Sequence, residues 1–211
     1  MSFNALLVRK DAESGKTAAA VDTLNDADLP QGNVTVAVEY STVNYKDGLC
    51  VGPGGGLVRN YPHVPGIDLA GTVEASTDAR YRAGDRVVLT GWRVGEAHWG
   101  GYAQKARLDA DWLVALPDGI STRQAMAVGT AGFTAMISVM ALEKHGLTPA
   151  AGPVLVTGAA GGVGLAAVDM GKLMGATVIA TARNQERLDV CKNIGADHVV
   201  DHSKSLKPEI E

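Results

Sequence analysis

Two stretches of this sequence have the residue types and spacing to do chemistry, and they lie about twenty residues apart. The first is VLVTGAAGGVGL at 154–165, where an apolar run enters a glycine-rich turn that opens an apolar-striped helix. In that context Gly161 lets backbone approach a pyrophosphate and Gly164 lets the helix pack closely on the strand. The free N–H groups of the helix start, with its dipole, favour phosphate. Ala160, Gly161, Gly162, Val163 and Gly164 are therefore the candidate dinucleotide cradle. Ala159 stands where the fingerprint has its first glycine, with Gly158 just before it, so the spacing is A-x-G-x-x-G, and a tight turn without ligand is the plain structural alternative. The second stretch is TARN at 181–184. A carboxylate at the end of the second strand would bind a ribose 2′-hydroxyl, whereas Ala182, Arg183 and Asn184 offer a bidentate cation and a donor to a 2′-phosphate. NADPH is the expected cofactor.

These residues need a strand–helix–strand frame, and the pattern supplies one. Strands are expected at 154–157, 177–181 and 198–201, with helices at 163–174 and 185–194 and with Gly175 and Gly195 where C-caps belong. Right-handed crossovers place the three strands side by side, as in half of a doubly wound sheet; a full one has about six strands. The sequence ends in the charged tail KSLKPEIE at 204–211, so the second half is expected to be absent. Before this frame, β-like runs at 34–40, 71–74 and 85–90 alternate with Gly, Pro and Asp turns, which predicts a compact β domain. Ser121 is a plausible N-cap for a helical region over 123–145, rich in Ala, Met and Val. The expected organisation is α/β: a β domain over 1–120, a connecting helical region over 121–150, and a partial, truncated Rossmann NADP-binding domain over 151–211.

Composition narrows the classes. The 211 residues are 46% hydrophobic and 20% charged with a net charge of −4, which excludes disordered and fibrous chains and gives no basic footprint for nucleic acid. No signal peptide or membrane span is expected, so the reading is a soluble cytoplasmic protein. Cys50 and Cys191 form no C-x-x-C, and the five histidines show no metal-ligand spacing.

The β domain, GTAGFTA at 129–135 and AGGVG at 160–164 together resemble the medium-chain dehydrogenase/reductase superfamily. YSTVNYKDGLC at 40–50, VGPGGG at 51–56, YPHVPGID at 61–68 and LTGWRVGEAHWGG at 89–101 resemble its acryloyl-CoA reductase subgroup, a zinc-free, quinone-oxidoreductase-like branch. The subgroup likeness is closest over 1–164, while 165–211 look like generic quinone oxidoreductases, which leaves a composite chain as one reading. The resemblance implies a GroES-like β domain, a Rossmann domain longer than this one, and homo-oligomers paired through a strand this chain lacks.

Zinc members of the superfamily have Cys-His where this chain has Asn44-Tyr45 and Gly-His-Glu where it has Gly66-Ile67-Asp68, so no metal is expected. Without a Lewis acid to stabilise alkoxide, reduction of a C=C bond conjugated to a carbonyl fits better than alcohol oxidation. Tyr45 is the expected catalytic side chain and a cofactor contact, its phenol donating to the nicotinamide portion or to a developing enolate, with a packed core tyrosine as the alternative. Thr130 is expected beside the nicotinamide, with a helix cap as its alternative, and Asp68 is expected to hold the loop bearing Asn44 and Lys46, with a turn or salt-bridge residue as the alternative. Lys46, Arg59 and Arg93 are candidates for CoA phosphates, and Trp92 for the wall of a substrate channel, although packing is the ordinary role of Trp92 and Trp99. The expected activity is NADPH-dependent reduction of acryloyl-CoA to propanoyl-CoA. The substrate would be an acyl-CoA thioester or another enone, with no nucleic acid and no membrane as partner. A quinone or alkenal reductase is the nearest alternative, and a truncated or chimeric non-catalytic nucleotide-binding scaffold is the alternative of another class.

Overall fold

The computed structural model describes residues 1–52 and 56–203, so the expectations at Pro53, Gly54, Gly55 and the 204–211 tail lie outside the described residues. The chain divides into two compact units, Met1–Thr130 and Ala131 onward.

The first unit contains β1 (Ser2–Lys10), β2 (Thr17–Asn25), β3 (Val34–Tyr40), α1 (Tyr45–Val51), β4 (Asp68–Ser76), β5 (Arg86–Thr90), β6 (Lys105–Leu108) and β7 (Val114–Ala115). Five strands form an antiparallel sheet in the order β6-β3-β4-β5-β7, and β1 pairs with β2 in register Ser2↔Asn25. Alternating Val and Leu side chains of these strands meet in one core, among them Val34, Val36, Leu69, Val73, Val87, Leu89 and Leu108. Phe3, Leu7, Leu24 and Val64 form a second cluster. Trp99 packs on this second cluster and donates Nε1–H to the Pro62 carbonyl, which is the packing role.

α2 (Thr122–Lys144) begins where Ser121 and Gln124 exchange hydrogen bonds, the Gln124 side chain accepting from the Ser121 N–H at 2.9 Å. Thr122 is anchored to β3 through Glu39, whose carboxylate accepts from the Thr122 and Thr72 hydroxyls at 2.6 and 2.7 Å. Those hydroxyls, Thr122 first, hold the Glu39 carboxyl below its ordinary range. The helix is interrupted at Gly129, whose φ of 48° and ψ of −161° are not helical. One sequence expectation needs correction here: α2 does have the length and composition of a membrane span, with a mean hydropathy of 1.7 over its most apolar window. Apolar Ala, Met and Val residues suit a helix connecting two domains as well as one that crosses a membrane, so the pattern does not separate the two. The break at Gly129 leaves a continuous helix over 130–144 that is about 22 Å long, short of a hydrocarbon core of about 30 Å.

The second unit holds β8 (Val154–Val156), α3 (Gly162–Leu173), β9 (Val178–Ala182), α4 (Gln185–Ile194) and β10 (His198–Asp201). The strands are parallel in the order β10-β9-β8, as the crossover rule requires. Val168 of α3 and Cys191 of α4 pack on Val178 and Ala180. Gly195 caps α4, and Gly175 takes φ 79° just beyond α3.

Candidate active site and cofactor cleft

In the first unit the polar residues converge on Asp68, which begins β4 and is 0% exposed. Its carboxylate accepts from Thr42 Oγ1 at 2.6 Å, Asn44 Nδ2 at 3.2 Å and the Thr130 N–H at 2.9 Å, and also from the Thr130 hydroxyl. The break at Gly129 makes this possible: a Cβ there would sit 2.8 Å from Thr42 Cγ2 and 3.0 Å from Asp68 Oδ2, and its φ is left-handed. Thr130 is thus fixed by a carboxylate, and its hydroxyl is committed to that bond.

A second buried carboxylate, Asp47, shapes α1. Its Oδ2 accepts from the Asn44 N–H at 2.8 Å and its Oδ1 from the Ile67 N–H at 2.9 Å, so the helix start is tied to the approach to β4. Tyr45 opens α1 and is 86% exposed, which overturns the packed-core alternative for it. Lys46 does not stand free: its Nζ pairs with Glu96 at 2.8 Å, joining α1 to the loop after β5. Cys50, buried on the same helix, has its thiol pushed up to about 11 by burial and then by Asp47, so it stays protonated and unreactive. Arg59 and Arg93 are solvent-exposed, and Trp92 is 61% exposed, so packing is not the role of Trp92.

The positions where zinc members of the superfamily carry ligands do not suit a metal. Asn44 donates its amide to Thr42 Oγ1 at 2.6 Å and to Asp68, Ile67 is buried and apolar, and the Asp68 carboxylate is already surrounded by donors.

In the second unit a cleft of about 560 Å³ opens at the carboxyl ends of the three strands. Thr157, Gly158, Ala160 and Gly161 line it from the turn after β8, Thr181, Ala182 and Arg183 from the end of β9, and Arg187 and His202 complete it. Gly164 is buried in the first turn of α3, where a Cβ would lie 2.5 Å from the Gly158 carbonyl oxygen and 2.6 Å from Ala159 Cα. Gly162, Val163 and Gly164 do not line this cleft; they line a second pocket of about 520 Å³ that shares Gly158 and Gly161 with it. Asn184 is the N-cap of α4, its side-chain oxygen accepting from the Arg187 N–H at 3.0 Å, so the carbonyl half of that side chain is occupied by the helix.

Sequence reasoning missed two residues of this cleft. Arg187 lies in the first turn of α4, just after the end of β9 that carries Arg183, and like Arg183 it has no ion-pair partner among the described residues. His202 follows β10, and its Nδ1 is buried without a hydrogen-bond partner among the described residues. The signal available for His202 was topological, since all three parallel strands end at one edge. A glycine turn that excludes Cβ, two free guanidinium groups and an orphaned ring nitrogen fit a phosphorylated dinucleotide.

The comparisons with known proteins agree with this geometry. A family described as alcohol dehydrogenase GroES-like domain matches residues 30–118, and one described as zinc-binding dehydrogenase matches residues 162–211. Residues 30–118 and 162–211 thus match the two domain families that the medium-chain dehydrogenase/reductase superfamily combines. The chain is 70% identical over 198 residues to the acrylyl-CoA reductase AcuI of Ruegeria pomeroyi, covering 94% of this chain and 60% of that one. It is 46% identical, with 94% and 59% covered, to the putative quinone oxidoreductase YhfP of Bacillus subtilis. The yhdH oxidoreductase of Salmonella enterica, solved in complex with NADP, superposes with a TM-score of 0.89 at 48% identity, covering 95% of this chain and 61% of that one. The chain therefore spans about 60% of the length of the curated relatives it matches. An alignment of 198 residues cannot end at Gly164, so the likeness to acrylyl-CoA reductase runs on into the last third of the chain.

Proposed function

We propose that this protein is a zinc-independent, NADPH-dependent reductase of activated carbon–carbon double bonds, with acryloyl-CoA reduced to propanoyl-CoA. The observation that carries the cofactor choice is the cleft in which Arg183 and Arg187 stand unpaired where an NAD-selective site has a carboxylate. The 70% identity to a named acrylyl-CoA reductase supports the choice of substrate. When bound, the nicotinamide group supplies a hydride for the β-carbon.

The residues of this chain then have separate tasks. Gly161 and the N–H groups at the start of α3 hold pyrophosphate, and Arg183 with Arg187 holds the 2′-phosphate. Asp68 keeps Thr130 and Asn44 in fixed positions by accepting hydrogen bonds from both. Tyr45 Oη donates a hydrogen bond to the thioester oxygen as enolate charge develops, and the α-carbon takes its proton from that hydroxyl or from water. Lys46 holds the loop after β5 through Glu96, and Arg59 is a cation within reach of solvent for the CoA phosphates. A cytoplasmic location goes with this reading, because the nicotinamide donor is an intracellular metabolite.

A quinone or alkenal reductase is the second reading, favoured by the likeness to YhfP. NADPH consumption with acryloyl-CoA, a quinone and an unsaturated aldehyde separates the two. The largest kcat/KM is expected for acryloyl-CoA, and faster turnover of the quinone would reverse the order. Arg183→Ala is expected to weaken NADPH about 10–100-fold and NADH less than about threefold. Equal losses for both cofactors would remove the 2′-phosphate from this cleft, and NADPH binding with no turnover of any acceptor would leave only a nucleotide-binding scaffold.

A further inference from the structure

Two exposed, chemically distinctive side chains stand on left-handed backbone among the described residues. Immediately after β5, the Val94 N–H donates to the Gly91 carbonyl at 3.1 Å and closes a four-residue turn. Its central residues, Trp92 and Arg93, have φ of 55° and 58°, and they are the non-glycine residues with positive φ among the described residues. Positive φ at both central positions marks a mirror-image turn, which Asn, Asp and Gly occupy because other side chains crowd the following carbonyl. Tryptophan and arginine are poor choices for it.

Strain of this kind is ordinarily offset by packing or pairing of the side chain. Neither occurs here: Trp92 is 61% exposed, and the exposed Arg93 guanidinium has no ion pair or side-chain hydrogen bond among the described residues. The frame behind the turn is rigid instead. Val94 is buried, the Gly95 and Gly100 backbones lie against Gly66 too closely to admit a Cβ, and the Arg93 carbonyl accepts from the Ala97 N–H at 2.9 Å. The Glu96–Lys46 pair fastens this frame to α1, next to Tyr45. The fold thus maintains an unfavourable conformation whose side chains make no hydrogen bond or ion pair among the described residues.

An exposed indole and an exposed guanidinium on successive residues match a ligand with an aromatic base and a phosphate monoester, the base stacking on Trp92 and the phosphate bridging to Arg93. We infer that the turn 91–94 recognises the adenosine 3′-phosphate end of coenzyme A, with Trp92 and Arg93 as specificity-determining residues. The inference rests on the thioester reading above and adds to it the part of the substrate remote from the reacting bond. The 2′-phosphate of the cofactor has its own cations in Arg183 and Arg187.

The test is the double variant Trp92→Asn/Arg93→Gly, which installs the residues such a turn prefers. Its melting temperature is expected to rise by about 2–6 °C, so a loss of function cannot be ascribed to misfolding. The KM for acryloyl-CoA is expected to rise about 10–100-fold, whereas kcat/KM for acryloyl-pantetheine, which lacks the nucleotide, changes less than about twofold. A second measurement needs no turnover: calorimetric titration with 3′,5′-ADP of protein already saturated with 2′,5′-ADP. The unsubstituted protein is expected to bind it and the double variant to bind it at least about tenfold more weakly. That result without reduction of acryloyl-CoA would support the recognition site and sink the reductase reading alone. Reduction with an unchanged KM in the variant would do the opposite. Equal losses for both thioesters, a fall in melting temperature, or no binding of 3′,5′-ADP by the unsubstituted protein would each overturn the inference.

Discussion

The two units hold their functional groups in opposite ways. In the first, buried carboxylates do the organising: Asp68 gathers Thr42, Asn44 and Thr130, and Asp47 gathers Asn44 and Ile67, so the polar groups around these two carboxylates have partners before any ligand arrives. In the second, the backbone organises and the charges are left free. Gly164 allows α3 to close on the turn after β8, while Arg183 and Arg187 line the cleft with no ion-pair partner among the described residues. A site that aligns a reacting bond needs rigid positioning, and a site that captures a phosphate needs unsatisfied donors. The difference predicts which substitutions cost stability and which cost affinity.

The largest effect belongs to Asp68→Ala. It leaves the Thr130 N–H and hydroxyl, the Thr42 hydroxyl and the Asn44 amide without their acceptor at a position with 0% exposure. Losing one member of a buried network of this size destabilises by about 3–5 kcal/mol. Urea denaturation of the purified variant measures it, and a midpoint shift equivalent to less than about 1 kcal/mol would mean that the cluster is not the organising element. Gly164→Ala comes next. Its Cβ meets backbone atoms at 2.5 and 2.6 Å, which cannot turn aside as a side chain could, so the turn or the helix must shift. We expect a loss of about 1–3 kcal/mol in stability, with NADPH affinity reduced at least about tenfold in a fluorescence titration. Unchanged cofactor affinity in this variant would dissolve the contrast between the units.

The same contrast explains what the sequence makes legible. The second unit is built from local signals. Alternating strand and helix periods, an Asn cap and a glycine cap give α4 as Gln185–Ile194 and β10 as His198–Asp201, the ranges expected, while β8, α3 and β9 shift by a residue at one end or both. The glycine turn and Arg183 are legible because their chemistry depends on residues close in sequence. Arg187 and His202 join the cleft only once the crossovers have stacked the strand ends, and no local pattern announces that.

In the first unit the balance reverses. β3 is legible as Val34–Tyr40 because it alternates, but β2 has the sequence TAAAVDTLN, with a helix former's alanines, and is a strand because β1 pairs along its whole length. α1 is only seven residues long and contains Gly48; the Asp47 carboxylate, bonded to Ile67 in a distant segment, secures its start. The break in α2 at Gly129 is likewise set by Thr42 and Asp68, neither near it in sequence. Trp92 and Arg93 give no sign of a left-handed turn, since their side chains argue against one.

The smallest expected effect sharpens the comparison within the second unit, because there one carboxylate behaves like those of the first. Asp197 precedes β10 and accepts from Lys172 Nζ at 2.7 and 2.8 Å and from the Val178 N–H at 2.7 Å, joining α3, β9 and β10. Lys172, then the Val178 N–H, holds its carboxyl below the ordinary value. A carboxyl whose folded pKa is depressed contributes stability that is present above the unfolded pKa of about 4 and lost as pH falls through the folded pKa. Asp197→Asn should therefore melt about 1–3 °C lower than the unsubstituted protein at pH 7, a modest gap because the pair is open to solvent and screened by salt. The gap should close as both proteins are scanned below pH 4, since other acidic groups titrate alike in each and cancel. Added salt should narrow it at pH 7 while leaving the Asp68→Ala deficit nearly intact, because screening reaches the solvent-facing ion pair and not the buried cluster.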